Sequence, residues 1–128
     1  MPGAVQQPQQ QRALAVPAPI TWDDFARVEL RVGRILRAEV FAQARKPAYK
    51  LWLDFGPEIG ERKSSAQITA HYTPEALVGK LVLAVLNFPP KQVGPFMSEC
   101  LVTGLHDAQG AVTLCVPEHE VAPGTRLL

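Results

Sequence analysis

Long apolar runs are missing from this chain. Nothing approaches the roughly 20 consecutive apolar residues that a membrane-spanning helix needs. The first residues also lack the basic start and apolar stretch of a secretory signal, so the sequence predicts a soluble, cytoplasmic protein without membrane insertion. Net charge is small: 13 Lys and Arg face 12 Asp and Glu, a formal +1. That balance argues against a uniformly basic nucleic-acid module and makes the placement of the cations more telling than their sum. Cysteine is scarce too. Cys100 and Cys115 have no metal-ligand spacing and no partner motif, so buried small side chains are expected rather than a disulfide.

Marks of catalysis are absent as well. His71, His106 and His119 are scattered through loop-like sequence without the i, i+4 spacing of metal ligands. Glu118, His119 and Glu120 are adjacent but sit in a turn flanked by Pro and Gly. No glycine-rich phosphate loop follows a strand, and no Ser or Cys stands in a nucleophile motif. The sequence therefore predicts no enzyme: no catalytic residue, no metal and no cofactor.

What is present describes one globular domain. Of the 128 residues, 47% are hydrophobic and 20% charged, enough to bury a core. Residues 1–19, rich in Gln, Pro and Ala without apolar period, are expected to form a flexible leader. The domain is expected at 20–128. Thr21 can cap a short helix that carries Asp23 and Asp24 at its positive end. From Val28 to Val40 the chain alternates like a half-buried strand, with Gly33 marking a bulge or bend. Tyr49 to Phe55 repeats the alternation, putting Tyr49, Leu51, Leu53 and Phe55 on one face and Lys50, Trp52 and Asp54 on the other. Ser64 to Thr69 reads as a polar third strand. Thr73-Pro74-Glu75-Ala76-Leu77, closed by Gly79, has the cap, first-turn proline and terminal glycine of a short helix. Leu81 to Leu86, Glu99 to Leu105 and Ala111 to Val116 follow as strands, the last two turning at 107–110. A β-sandwich fits the strand count. The single helix between the third and fourth strands favours an all-β, five-stranded Greek-key barrel of the OB-fold class with extra terminal elements.

One stretch asks for more than a connection. Asn87 to Cys100, NFPPKQVGPFMSEC, breaks two apolar strands with three prolines and a lysine, where a short turn would suffice. Pro89 and Pro90 restrict the backbone and Gly94-Pro95 supplies a turn. A loop held this way can direct Asn87, Lys91 and Ser98 into one cleft. A stiff connection with a solvated lysine is the plainer reading. On the second and third strands, Lys50, Ser65 and Gln67, with Lys46, Arg62 and Lys63 nearby, offer hydroxyls, an amide and cations to phosphate, sugar or base edges. An ordinary solvent-facing strand fits the same pattern. Trp52 suits either a stacked base or a subunit interface, and the lack of neighbouring aromatics favours the interface. Trp52, Phe88, Val93, Phe96 and Met97 together form an apolar surplus, available to a partner copy or to an extended polypeptide.

Asp24-Phe25, Arg31-Val-Gly-Arg-Ile35, Lys50-Leu-Trp-Leu-Asp-Phe-Gly56, Ser64-Ser-Ala-Gln-Ile-Thr69 and Asn87-Phe-Pro-Pro-Lys91 with Ser98-Glu99 resemble one family. It is the CsaA family, the free-standing bacterial branch of the tRNA-binding domains. The resemblance runs from about Ile20 to Leu128, and the leader has no counterpart in it. It implies an OB-fold homodimer that binds tRNA by structure rather than sequence, and an export-related chaperone of unfolded or precursor polypeptides. The wider family carries Asn-Leu-Lys-Pro and a later Ser-x-Gly-Met. Here those places read Asn87-Phe88-Pro89-Pro90-Lys91 and Ser98-Glu99-Cys100-Leu101. Asn87, Lys91 and Ser98 carry over as RNA-binding positions, with Lys50, Ser65 and Gln67 beside them.

Overall fold

A computed structural model describes residues 17–128. Positions 1–16 of the expected leader lie outside the described residues. The first helix, α1 (Trp22–Ala26), starts at Thr21 as expected. The Thr21 hydroxyl accepts from the Asp24 N–H while the Asp24 carboxylate accepts from the Thr21 N–H. This reciprocal box satisfies two N-terminal donors.

Strand β1 (Leu30–Val40) organises the sheet by serving two partners in turn. Its first half runs antiparallel to β4 (Leu81–Val85), and its second half antiparallel to β2 (Tyr49–Asp54). The register slips between Ile35 and Arg37, which makes Leu36 the extra residue of the bulge. The sequence places that irregularity at Gly33, and the structure moves it three residues on. Gly33 has a different reason to be glycine: a Cβ there would lie 2.5 Å from the Phe55 ring, deep in the core.

β2 alternates as its sequence dictates, with Tyr49, Leu51 and Leu53 buried and Lys50, Trp52 and Asp54 turned outward. β3 (Glu61–Ala66) pairs antiparallel with β2 and starts three residues before the expected Ser64, ending before Thr69. The inward positions there are Ser64 and Ala66, so no apolar alternation marks the strand. Ser64 is 1% exposed, and its hydroxyl donates to the Cys100 carbonyl at 2.8 Å. A buried hydroxyl needs such a partner.

The second helix, α2 (Pro74–Leu77), has Thr73 accepting from the Ala76 N–H, and Gly79 follows with a φ of +91°. Leu77 enters the main core beside Ile35, Leu51, Leu53, Phe55 and Val82. Between the fourth strand and the closing strand, the proline-rich stretch forms a ribbon of its own. Its strands are β5 (Lys91–Val93) and β6 (Phe96–Ser98), joined at Gly94-Pro95. The sequence anticipates the turn but not the ribbon. β7 (Leu101–Val102) then pairs with β4, completing an antiparallel sheet of order β3-β2-β1-β4-β7. The Glu99 N–H reaches the Lys63 carbonyl at 2.8 Å, bringing the end strands together into a nearly closed five-stranded OB-fold barrel.

The expected strand from Glu99 to Leu105 is cut at Thr103, whose N–H and hydroxyl both donate to the Leu83 carbonyl. Beyond it lie β8 (Gly104–His106) and β9 (Val112–Leu114), a hairpin. Asp107 builds its turn by accepting from the N–H groups of Gln109 and Ala111. Both cysteines are free, Cys100 buried and Cys115 partly so.

Candidate nucleic-acid interface

In the β5–β6 ribbon Val93 faces Phe96, and Lys91 faces Ser98. Side chains alternate across a strand, so Lys91, Val93, Phe96 and Ser98 share one side of the ribbon and Gln92 and Met97 the other. Phe96 fixes which side faces inward. Its ring is buried against Phe41, at a centroid distance of 5.5 Å, and against Trp52 at 6.0 Å. This second core, completed by Ala48, lies between the ribbon and the outer surface of β2. The same alternation turns Lys91 and Ser98 toward the barrel. The Ser98 hydroxyl accepts from the Ser65 N–H at 3.1 Å, which docks β6 on the end of β3.

Between the ribbon, the end of β3 and the segment from Gln43 to Ala48 runs a groove of about 1230 Å³. Lys46, Ser65, Gln67, Lys91 and Ser98 line it, as do Phe88 and Val93 from the apolar set. Arg45, Pro89 and Leu101 are lining residues that the sequence reasoning missed. Arg45 stands next to Lys46, and that doublet was the available signal. Among the described residues no ion pair engages Arg45, Lys46 or Lys91. Among the described residues Glu99 is the one acidic lining residue, and its carboxylate accepts from the Lys63 N–H at 3.1 Å.

Other expected positions lie elsewhere. Lys50 and Lys63 flank the groove, with ammonium groups 5.7 and 5.0 Å from the Phe96 ring. Arg62 is on β3, outside the lining. The expectation that Asn87 shares the cleft with Lys91 and Ser98 is corrected. Its carbonyl oxygen accepts from the Glu29 N–H at 2.9 Å and its amide donates to the Arg27 carbonyl at 2.6 Å. Asn87 thus ties the start of the loop to the start of β1 and is not a lining residue. Trp52 is half-buried, packed under Phe96 with the Arg37 guanidinium 3.9 Å from its ring centroid, and is no open stacking surface. Phe96 belongs to the second core rather than to an exposed apolar surplus, and Met97 points away from the groove.

The Cys100 thiol borders the groove but is pushed up to about 12, chiefly by burial, so it stays protonated. His71 bonds Asp107 at 2.7 Å, and neither is a lining residue of the groove. Among the described residues no group of three or more His, Cys, Asp or Glu is placed to hold a metal ion. No described helix is long and apolar enough to cross a membrane.

Residues 30–126 match the family model described as "Putative tRNA binding domain". The chain belongs to the tRNA-binding domain family, in its CsaA-like branch. The chaperone CsaA of Bacillus anthracis str. Ames superimposes with a TM-score of 0.81 at 46% identity, covering 87% of this chain and 100% of that one. The CsaA chaperone protein of Picrophilus torridus gives 0.80 at 44% identity, covering 86% and 100%. The methionine–tRNA ligase of Porphyromonas gingivalis is 34% identical over 116 residues, 91% of this chain and 17% of the ligase. That of Archaeoglobus fulgidus is 36% identical over 84% of this chain and 16% of the ligase. This chain therefore spans about a sixth of the length of the curated ligases it matches.

Proposed function

We propose that the chain is a non-catalytic, cytoplasmic tRNA-binding protein that acts as a homodimer and contacts RNA through this groove. One observation carries the reading: Arg45, Lys46 and Lys91 gather around a preformed cavity without a carboxylate partner among the described residues. Unpaired cations at a fixed spacing bind phosphates and release counterions. Ser65, Gln67 and Ser98 add polar groups for sugar or phosphate, while Lys50 and Lys63 extend the positive field over the adjacent strands. Arg62 supplies a further cation on the same strand as Lys63. The modest net charge is compatible with this because the cations are concentrated.

The dimer reading rests on α1. This helix is firmly capped yet buries none of its residues, and Trp22 is 90% exposed. Ile20, Phe25, Val28, Leu127 and Leu128 are exposed apolar residues at the two ends of the described residues. Arg126 donates to the Ala26 carbonyl, linking those ends. A second copy would cover such a surface.

A polypeptide-binding activity is the second reading. It is favoured by the apolar part of the lining, Ala44, Ala48, Phe88, Pro89, Val93 and Leu101, and by the likeness to CsaA chaperones. Titration of labelled tRNA by anisotropy tests the first reading: Lys91→Ala is expected to bind several-fold more weakly. Equal binding by wild type and Lys91→Ala would remove the groove from RNA recognition. Slowed aggregation of a denatured client, insensitive to salt, would establish the second.

A further inference from the structure

Phe88 is the one aromatic residue in the groove lining among the described residues. It is 56% exposed and belongs to neither core cluster. Its backbone, in contrast, is held on both sides. Asn87 precedes it with two side-chain hydrogen bonds to the β1 entry, and Pro89-Pro90 follow it with restricted torsions. A ring more than half exposed on a fixed backbone, outside both cores, is arranged to meet something outside the chain.

The neighbouring charges say what. Lys91 lies three residues beyond Phe88, and Arg45 and Lys46 share the lining, all three unpaired among the described residues. An aromatic face beside phosphate-binding cations is the combination that single-stranded nucleic acid uses. A paired helix has no free base face to offer, and A-form duplexes are read over a wide, shallow minor groove rather than inside a recess.

We infer that the groove accepts an unpaired stretch of RNA, one base stacking on Phe88 while flanking phosphates meet Lys46 and Lys91. This rests on the tRNA-binding reading and narrows it from RNA shape to exposed, unstacked nucleotides. Charge favours RNA over polypeptide as the occupant, because an apolar segment would leave three cations without partners.

The test uses the full chain in anisotropy titrations at fixed salt with three labelled probes: total tRNA, an unpaired eight-nucleotide RNA and a blunt RNA duplex of the same charge. Unpaired RNA should bind more tightly than duplex. Phe88→Ala should weaken unpaired-RNA binding about 5- to 150-fold, the loss expected for one base–aromatic stack. The salt dependence should not change, because no cation is removed, and Phe88→Trp should restore affinity. If Phe88→Ala binds the unpaired probe like wild type while tRNA binding still depends on Lys91, the stacking proposal falls and the tRNA reading stands. Tighter binding of duplex than of unpaired RNA also overturns it. If no RNA binds, and a reduced, carboxymethylated polypeptide binds in a Phe88-dependent way, both readings fall.

Discussion

Replacing Asn87 by alanine separates loop anchoring from ligand contact. The side chain makes two hydrogen bonds, one from the Glu29 N–H and one to the Arg27 carbonyl. Each contributes about 0.5–1.5 kcal/mol net, and because both lie at an exposed site where water can take over, the total is roughly 1–2 kcal/mol. For a domain of this size that lowers the melting temperature by roughly 4–8 °C. RNA affinity should fall only by the added ordering of the loop, about 0.5–1.5 kcal/mol for a segment no longer held in place. Lys91→Ala should do the reverse: melting unchanged, affinity reduced, salt dependence shallower by about one unit of slope. Differential scanning calorimetry and anisotropy titration on the two variants give the comparison. An Asn87→Ala protein that melts with wild type yet loses RNA binding would place the amide at the ligand and refute the anchoring argument.

Three further outcomes follow from the same contacts. Phe96→Ala removes the plug of the second core and should destabilise by about 3–5 kcal/mol, read from the denaturant midpoint. An unchanged midpoint would mean that the ribbon is not held by Phe96. Asp107 is held below its ordinary value, first by the hydrogen bond to His71 and then by the Ala111 and Gln109 N–H groups. Because the folded value is the lower one, this contribution to the β8–β9 turn is present above the unfolded value and is lost as pH falls through the folded one. In an NMR titration His71→Ala should move the Asp107 midpoint upward, and no movement would exclude the pairing. Cys100 should resist alkylation near pH 8 in the native protein and react once denatured, with Cys115 the more reactive thiol when folded. Rapid native labelling of Cys100 would contradict its burial.

Where side-chain chemistry is local, the sequence was legible. Thr21 and Thr73 cap the two helices because a short hydroxyl can reach the N–H three residues on, and β2 keeps the alternation of its apolar residues. β3 was misplaced because its inward positions are serine and alanine, and the burial of Ser64 depends on the Cys100 carbonyl beside β7 rather than on hydrophobicity. The reason for Gly33 depends on Phe55, 22 residues away along the chain, and the bulge at Leu36 on the pairing of β1 with β2; no local pattern encodes either. For the groove, Lys46, Ser65, Gln67, Lys91 and Ser98 were foreseeable as polar residues at the ends of strands and loops. The place of Asn87 was not, because an amide reads alike whether it meets a ligand or a distant backbone. The buried state of Phe96 follows from ribbon pairing, which is invisible until Gly94-Pro95 closes the turn.

The central claim is electrostatic, and the salt dependence of tRNA binding tests it most directly. With about four phosphates neutralised, log affinity should fall against log salt with a slope of roughly −3 to −4, and the Lys46→Ala, Lys91→Ala double variant should reduce its magnitude by about two. A slope near zero, or one that the double variant leaves unaltered, would contradict the account.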